Sequence, residues 1–267
     1  MLLQDIQEKV NEFVLTNPKN IVENPEMIST SPTSSARMQI WDLPLIGVAS
    51  ATDALWETFK QPDIIGPHHM LPNEWLPGAK SVIVYFLPYT QRIREANRIK
   101  GVTATEWLYG RWEGELFNVA LRQLIVDLVE KTGHHALAPL LDERFVVADL
   151  RSNWSERHAA FVAGLGTFSL SRSLITRLGS AGRCGSVIVD FHLEPTQRTY
   201  TKFDEYCSSC GACAKRCPAQ AIDKTGKDNG ICMLYIQKEK ELYTPRYGCA
   251  KCQTGVPCEN KIPVRRG

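Results

Sequence analysis

The stretch that most constrains this chain is Cys207-Ser-Ser-Cys210-Gly-Ala-Cys213-Ala-Lys-Arg-Cys217-Pro218, three cysteines two residues apart and a fourth followed by proline. Close turns over such spacing aim three thiolates at three irons of one cubane. Cys217 then leaves in a new direction, because Pro218 lacks an N–H and has a preset φ that suits the first position of a helix. Cys-x2-Cys spacing also suits tetrahedral zinc, but zinc gives no reason for a fourth cysteine at x3 followed by proline. Iron–sulfur is therefore favoured over zinc, and both over a disulfide framework.

In runs of this kind from two-cluster ferredoxins, the fourth cysteine ligates the other cluster. A second cysteine group is then required, and the chain supplies Cys232, Cys249, Cys252 and Cys258. Two 4Fe-4S clusters need eight thiolates, and the stretch from Cys207 to Cys258 holds eight of the nine cysteines. The crossed assignment gives the first cluster Cys207, Cys210, Cys213 and Cys258, and the second Cys217, Cys232, Cys249 and Cys252. A symmetric second half would have a cysteine where Gly255 stands, so Cys232 must substitute. The ninth cysteine, Cys184, reads as a small inert filler of the core, with a free thiol beside a redox site as the alternative.

A chain of 267 residues with 43% hydrophobic residues can bury a core, and a net charge of +2 does not mark a nucleic-acid or membrane protein. The N-terminus carries Asp5, Glu8 and Glu12 rather than a basic and apolar signal, and no apolar run approaches the ~20 residues of a membrane span. The expected location is cytoplasmic, with no membrane partner.

Leu3, Ile6, Val10, Phe13 and Val14 predict an amphipathic helix ending before Pro18, and residues 20 to 37 read as a loop. Strands are expected at Leu45 to Ala49, Ser81 to Leu87, Phe145 to Asp149 and Ser186 to Phe191, with a short helix around Thr52 to Lys60. The adjacent His68 and His69 on a Pro-rich loop read as an ordinary surface pair. Thr103 and Glu106 form a capping-box pattern. It opens a helix whose row Leu108, Trp112, Leu116, Ala120, Leu124 and Leu128 reads as core, with Gly133 terminating it. Asn153 with Glu156 reads as the cap of a helix running to Ala163. The fold class is α+β: residues 1–195 as one domain, with a ferredoxin-like domain carrying the clusters over 196–267.

Several of these pieces together resemble the epoxyqueuosine reductase family and, more distantly, the cluster-bearing part of reductive dehalogenases. They are Leu76-Pro-Gly-Ala-Lys-Ser-Val-Ile83, Glu156 through Gly166, Cys207 to Pro218, Ile231-Cys-Met-Leu-Tyr235 and Gly248-Cys-Ala-Lys-Cys252. The resemblance covers most of the chain from residue 45 onward. It implies a nitroreductase-like N-terminal fold, cobalamin held between the domains, electrons passing from clusters to cobalt, and a lone cysteine in the place of Cys232. Two departures stand out. The last cysteine group has x5 and a proline before Cys258, where the family has Cys-x2-Cys-x3-Cys-Pro. The family's catalytic aspartate falls on Leu150, with Asp149 one residue away.

The expected function is an iron–sulfur oxidoreductase passing single low-potential electrons to a cobalamin or a substrate at the N-terminal domain. The alternative is an electron-transfer partner or reductive activator of a separate corrinoid protein. Either needs a low-potential donor such as a ferredoxin or flavodoxin. A helical tRNA-binding extension does not follow the clusters, so tRNA is not an expected partner.

Overall fold

Ser81–Pro88 is the strand on which the other elements are laid: all eight residues are buried, which requires cover on both faces and a neighbour on each edge. In the computed structural model, which describes residues 3–23 and 36–264, it pairs antiparallel with Leu45–Ser50 and with Gly182–Val189. Ala136–Leu137 adds to the far edge of Gly182–Val189, giving a four-stranded sheet.

The two-residue period of a strand divides its side chains between two cores. Ile83, Tyr85 and Leu87 face a layer built from the N-terminal helix Leu3–Thr16, through Ile6, Val10 and Val14, and the long helix Thr105–Glu130. Val82, Val84 and Phe86 face the other layer, where Trp56, Trp75 and Trp154 pack around the helix Glu156–Val162. Each fully buried large apolar side chain contributes roughly 1.5–3 kcal/mol, so these two layers carry most of the fold.

Four local readings are corrected. The row from Leu108 to Leu128 is not the core face, because Trp112 and Leu116 are exposed. Steps of four advance about 40° past a full helical turn, so a row held at i+4 winds off the buried side. The true stripe mixes threes and fours through Trp107, Gly110, Gly114, Phe117, Leu121 and Ile125. Gly114 is required there, since a Cβ would lie 2.8 Å from the Trp41 ring. The capping box does not form: the helix opens after Ala104 without a side-chain cap, and Thr103 Oγ1 instead donates to Glu239 at 2.6 Å.

Of the strand expected over Phe145 to Asp149, only Val147–Ala148 pairs. Val147–Ala148 and Arg151–Ser152 make a small exposed hairpin whose turn is Asp149 and Leu150, both at positive φ. Finally, His69 is buried against Trp154 and Phe59 and only His68 is at the surface. Smaller differences follow: Ser155 rather than Asn153 caps Glu156–Val162, and Ile21–Glu23 pairs with Arg37–Gln39 within what read as loop. The rest of that loop lies outside the described residues.

No helix among the described residues is long and apolar enough to cross a membrane.

Candidate iron–sulfur site

The cysteine stretch folds as its residue types dictate. Gly211 takes the left-handed conformation at φ 69°, which starts the five-residue helix Ala212–Arg216, and Cys217 closes it in an extended conformation ahead of Pro218. Cys213 is thereby turned inward while Cys207 and Cys210 approach from the preceding loop. A small pocket is bounded by Cys207, Cys210, Cys213 and Cys258, with Ser169, Leu170 and Ile175 also lining it. Cys258 reaches it because the tail is pinned to the N-terminal body. Ser180 N donates to Cys258 O at 2.8 Å and Ala181 N to Glu259 O at 3.1 Å. Gly179 leaves the room for this approach: a Cβ there would lie 2.3 Å from Asn260 Cα.

The second group is looser. Cys252 lies within electrostatic reach of Cys217 and Cys232, and Cys249 within reach of Cys252. Cys232 stands in the first turn of the helix Asn229–Tyr243, whose cap is the Asp228 side chain accepting from Ile231 N. Two contacts reach sulfur directly: Ser180 Oγ donates to Cys258 Sγ at 3.7 Å and Ala221 N to Cys217 Sγ at 3.3 Å.

Burial pushes the thiols of Cys213 and Cys249 up to about 12 and that of Cys258 up to about 11. Without a cation these sulfurs hold their protons, and a metal that binds them must release those protons. The residues fit an iron–sulfur core. Four thiols border one pocket.

The residues that hold the second loop are ones the sequence did not single out. Asn97 is fully buried; its Nδ2 donates to Cys249 O at 2.8 Å and Thr254 Oγ1 at 3.2 Å, and its Oδ1 accepts from Lys251 Nζ at 2.8 Å and Ala104 N at 3.3 Å. Burial lowers Lys251 to about 8. Beside it Arg98 Nη2 meets Glu259 Oε1 at 2.6 Å, and Glu259 Oε2 accepts from Gly255 N at 2.5 Å. Asn97 and Arg98 sit in an unremarkable polar run, and no spacing signal marks them.

Behind the cysteines, Glu156 lies between Arg122 Nε at 3.4 Å and Ser186 Oγ, which donates to it at 2.5 Å, while Trp154 Nε1 donates to Ser186 Oγ at 2.9 Å. Burial raises the Glu156 carboxyl despite Arg122. Burial also pushes the Cys184 thiol up to about 12, so it is a protonated filler of the sheet rather than a reactive thiolate. Asp149 and Leu150 stand at the exposed hairpin turn, and Arg151 ties that hairpin to the carbonyls of Pro62 at 2.5 Å and Ile65 at 3.1 Å.

Residues 200–223, which hold Cys207, Cys210, Cys213 and Cys217, match the 4Fe-4S binding domain family. The class is that of an iron–sulfur protein with a mixed α/β body. Within it, the chain is related to the epoxyqueuosine reductases: the enzyme of Francisella cf. novicida (strain Fx1) is 29% identical over 220 residues, 74% of this chain and 58% of the relative. A solved epoxyqueuosine reductase shares the fold at a TM-score of 0.50 and 18% identity, covering 98% of this chain and 68% of that one. A reductive dehalogenase whose structure suggests a mechanism for B12-dependent dehalogenation does so at 0.53 and 16%, covering 82% and 30%. The chain spans 52% to 64% of the length of three epoxyqueuosine reductases that it matches.

Proposed function

We propose that this chain is a cytoplasmic iron–sulfur oxidoreductase that carries two 4Fe-4S clusters in a ferredoxin-like domain over 196–267. Cys207, Cys210, Cys213 and Cys258 hold the first, and Cys217, Cys232, Cys249 and Cys252 the second. The observation that carries this reading is the cavity bounded by three neighbouring thiols and a fourth, Cys258, brought from far along the chain. Bound clusters supply one-electron transfer at low potential, tuned by burial and by hydrogen bonds to sulfur. The donors Ser180 Oγ and Ala221 N stand where such bonds favour added negative charge. Val256 and Ile222 pack around Cys213 and keep water from its thiol.

The acceptor is a cobalamin or a substrate held against a nitroreductase-like domain over 1–195. The B12-dependent relative of the same fold supports cobalamin. A ferredoxin or flavodoxin supplies the electrons. The exposed position of Asp149 favours a second reading, an activator of a separate corrinoid protein that turns over no small substrate.

The test is an anaerobic absorption spectrum with iron, sulfide and cobalt analysis of the wild type, Cys207→Ser and Cys249→Ser. Two cluster equivalents are expected, with each variant damaging a different one. Zinc without sulfide, or loss of the same cluster in both variants, overturns the assignment. Turnover of a small substrate by the isolated chain excludes the activator reading.

A further inference from the structure

Two cations meet within the second cysteine group. Arg216 stands directly before Cys217, and its guanidinium is threaded into the 249–255 loop: Nε donates to Lys251 O at 3.2 Å and Nη2 to Arg98 O at 3.0 Å. The Lys251 carbonyl is bonded to the nitrogen of Cys252, so this contact brings the charge within one peptide unit of a second ligand. Gly255 leaves the room for it, since a Cβ there would lie 2.8 Å from Arg216 Cζ. Lys251 is buried, and its Nζ donates to Asn97 Oδ1 at 2.8 Å and Asn97 O at 3.1 Å. Arg216 Nη2 reaches the same Asn97 O at 3.5 Å. Both charges therefore converge on one carbonyl.

The carboxylates that border this loop do not pair with them. Glu259 is held by Arg98 Nη2 at 2.6 Å. Glu239, also buried, accepts from Thr103 Oγ1 at 2.6 Å, and the same hydroxyl lies 3.1 Å from Gly248 O, next to Cys249. Among the described residues neither Arg216 nor Lys251 has a carboxylate within ion-pair distance. Like charges drawn together out of water are costly unless an anion stands beside them. A cubane held by four thiolates is such an anion, and it gains a further negative charge when reduced. Fixed positive charge favours that reduced form, and net charge is one of the levers on these potentials. The first group lacks this feature: no residue lining its pocket carries a charged side chain other than the thiols themselves.

We propose that Arg216 and Lys251 raise the reduction potential of the cluster held by the second cysteine group, so that an electron delivered to the pair comes to rest there rather than on the first. The inference deepens the iron–sulfur reading and rests on it. The exchange is of one electron: the first cluster is oxidised as the second is reduced, the ferredoxin or flavodoxin supplies the electron, and no bond forms or breaks. Arg216 keeps its proton at any working pH, so it acts as a fixed charge.

The experiment is a redox titration of the full chain, reconstituted anaerobically and followed by electron paramagnetic resonance. Two one-electron waves are expected. The wave that Cys249→Ser disturbs belongs to the second cluster and should lie at the higher potential. Arg216→Gln and Lys251→Met should each weaken its reduction at least tenfold, a fall of about 59 mV for one electron, and leave the wave that Cys207→Ser disturbs in place. Arg216→Lys keeps the charge and should hold the potential. Glu239→Gln removes a negative charge while keeping an acceptor for Thr103, and should raise it. These last two variants decide the matter if Arg216→Gln and Lys251→Met do not hold a second cluster. Equal shifts in both waves, no shift with iron retained, a second-cluster wave at the lower potential, or a fall in Arg216→Lys as large as in Arg216→Gln overturns the proposal. Wild-type protein without iron and sulfide defeats the iron–sulfur reading itself, whereas two intact clusters with unmoved waves defeat this inference alone.

Discussion

Asn97→Ala is the sharpest probe of how the N-terminal body holds the second cysteine group. Asn97 is fully buried, and its side chain makes four hydrogen bonds. Two of the partners keep other bonds after truncation: Lys251 Nζ still donates to Asn97 O at 3.1 Å, as does Thr254 Oγ1 at 3.1 Å. The other two, Cys249 O and Ala104 N, lose the bonds they make to Asn97. A buried group left unmade costs about 1–3 kcal/mol; at about 1.5 kcal/mol for each, in the lower half of that range, the pair costs about 3 kcal/mol. At about 1.4 kcal/mol per decade, that opens the 249–254 loop about 100-fold more often. The assay is iron release to a strong chelator under anaerobic conditions. Half of the iron should leave about 100-fold faster than in the wild type, and the half held by Cys207, Cys210, Cys213 and Cys258 should keep its rate. Equal acceleration of both halves, or none, refutes the reasoning, because it would mean that Asn97 does not act on Cys249 in particular.

Two further predictions concern the body. Gly114→Ala gains up to about 1 kcal/mol of helix propensity, but its Cβ meets Trp41 at 2.8 Å and Ile40 at 3.2 Å, an overpacking that costs about 1–3 kcal/mol; a lower melting temperature is expected, and a higher one would contradict the packing described. Burial lowers His69 from 6.5 to about 4, so the unfolded chain binds the proton first as pH falls. Its contribution is whole above pH 6.5 and is lost towards pH 4, at about 1.4 kcal/mol per pH unit. Denaturant titrations of His69→Phe should show a pH slope shallower than wild type by that amount, and identical slopes would place His69 at the surface after all.

What the sequence disclosed follows from how each feature is encoded. Cys207 to Pro218 is legible because the chemistry requires particular residue types at fixed short spacing. Ser81 to Leu87 is legible because a strand buried on both faces must be apolar at every position. The long helix was legible as a helix but not in its facing, since Leu108, Trp112 and Leu116 satisfy the same four-residue step that Trp107, Gly114 and Phe117 satisfy in alternation with threes. Two glycines on the buried face hide it from any apolar pattern. Phe145 to Asp149 was legible in part: Val146 and Val147 have strand propensity, but only Val147–Ala148 pairs, in an exposed two-stranded hairpin that its propensity could not bound. Least legible were Asn97, Lys251 and Glu259, polar residues whose value comes from partners distant in the chain. Covalent spacing therefore announces which thiols would bind metal in this chain, while the groups that hold their loops in place, Asn97 and Glu259 among them, are assembled by the tertiary fold.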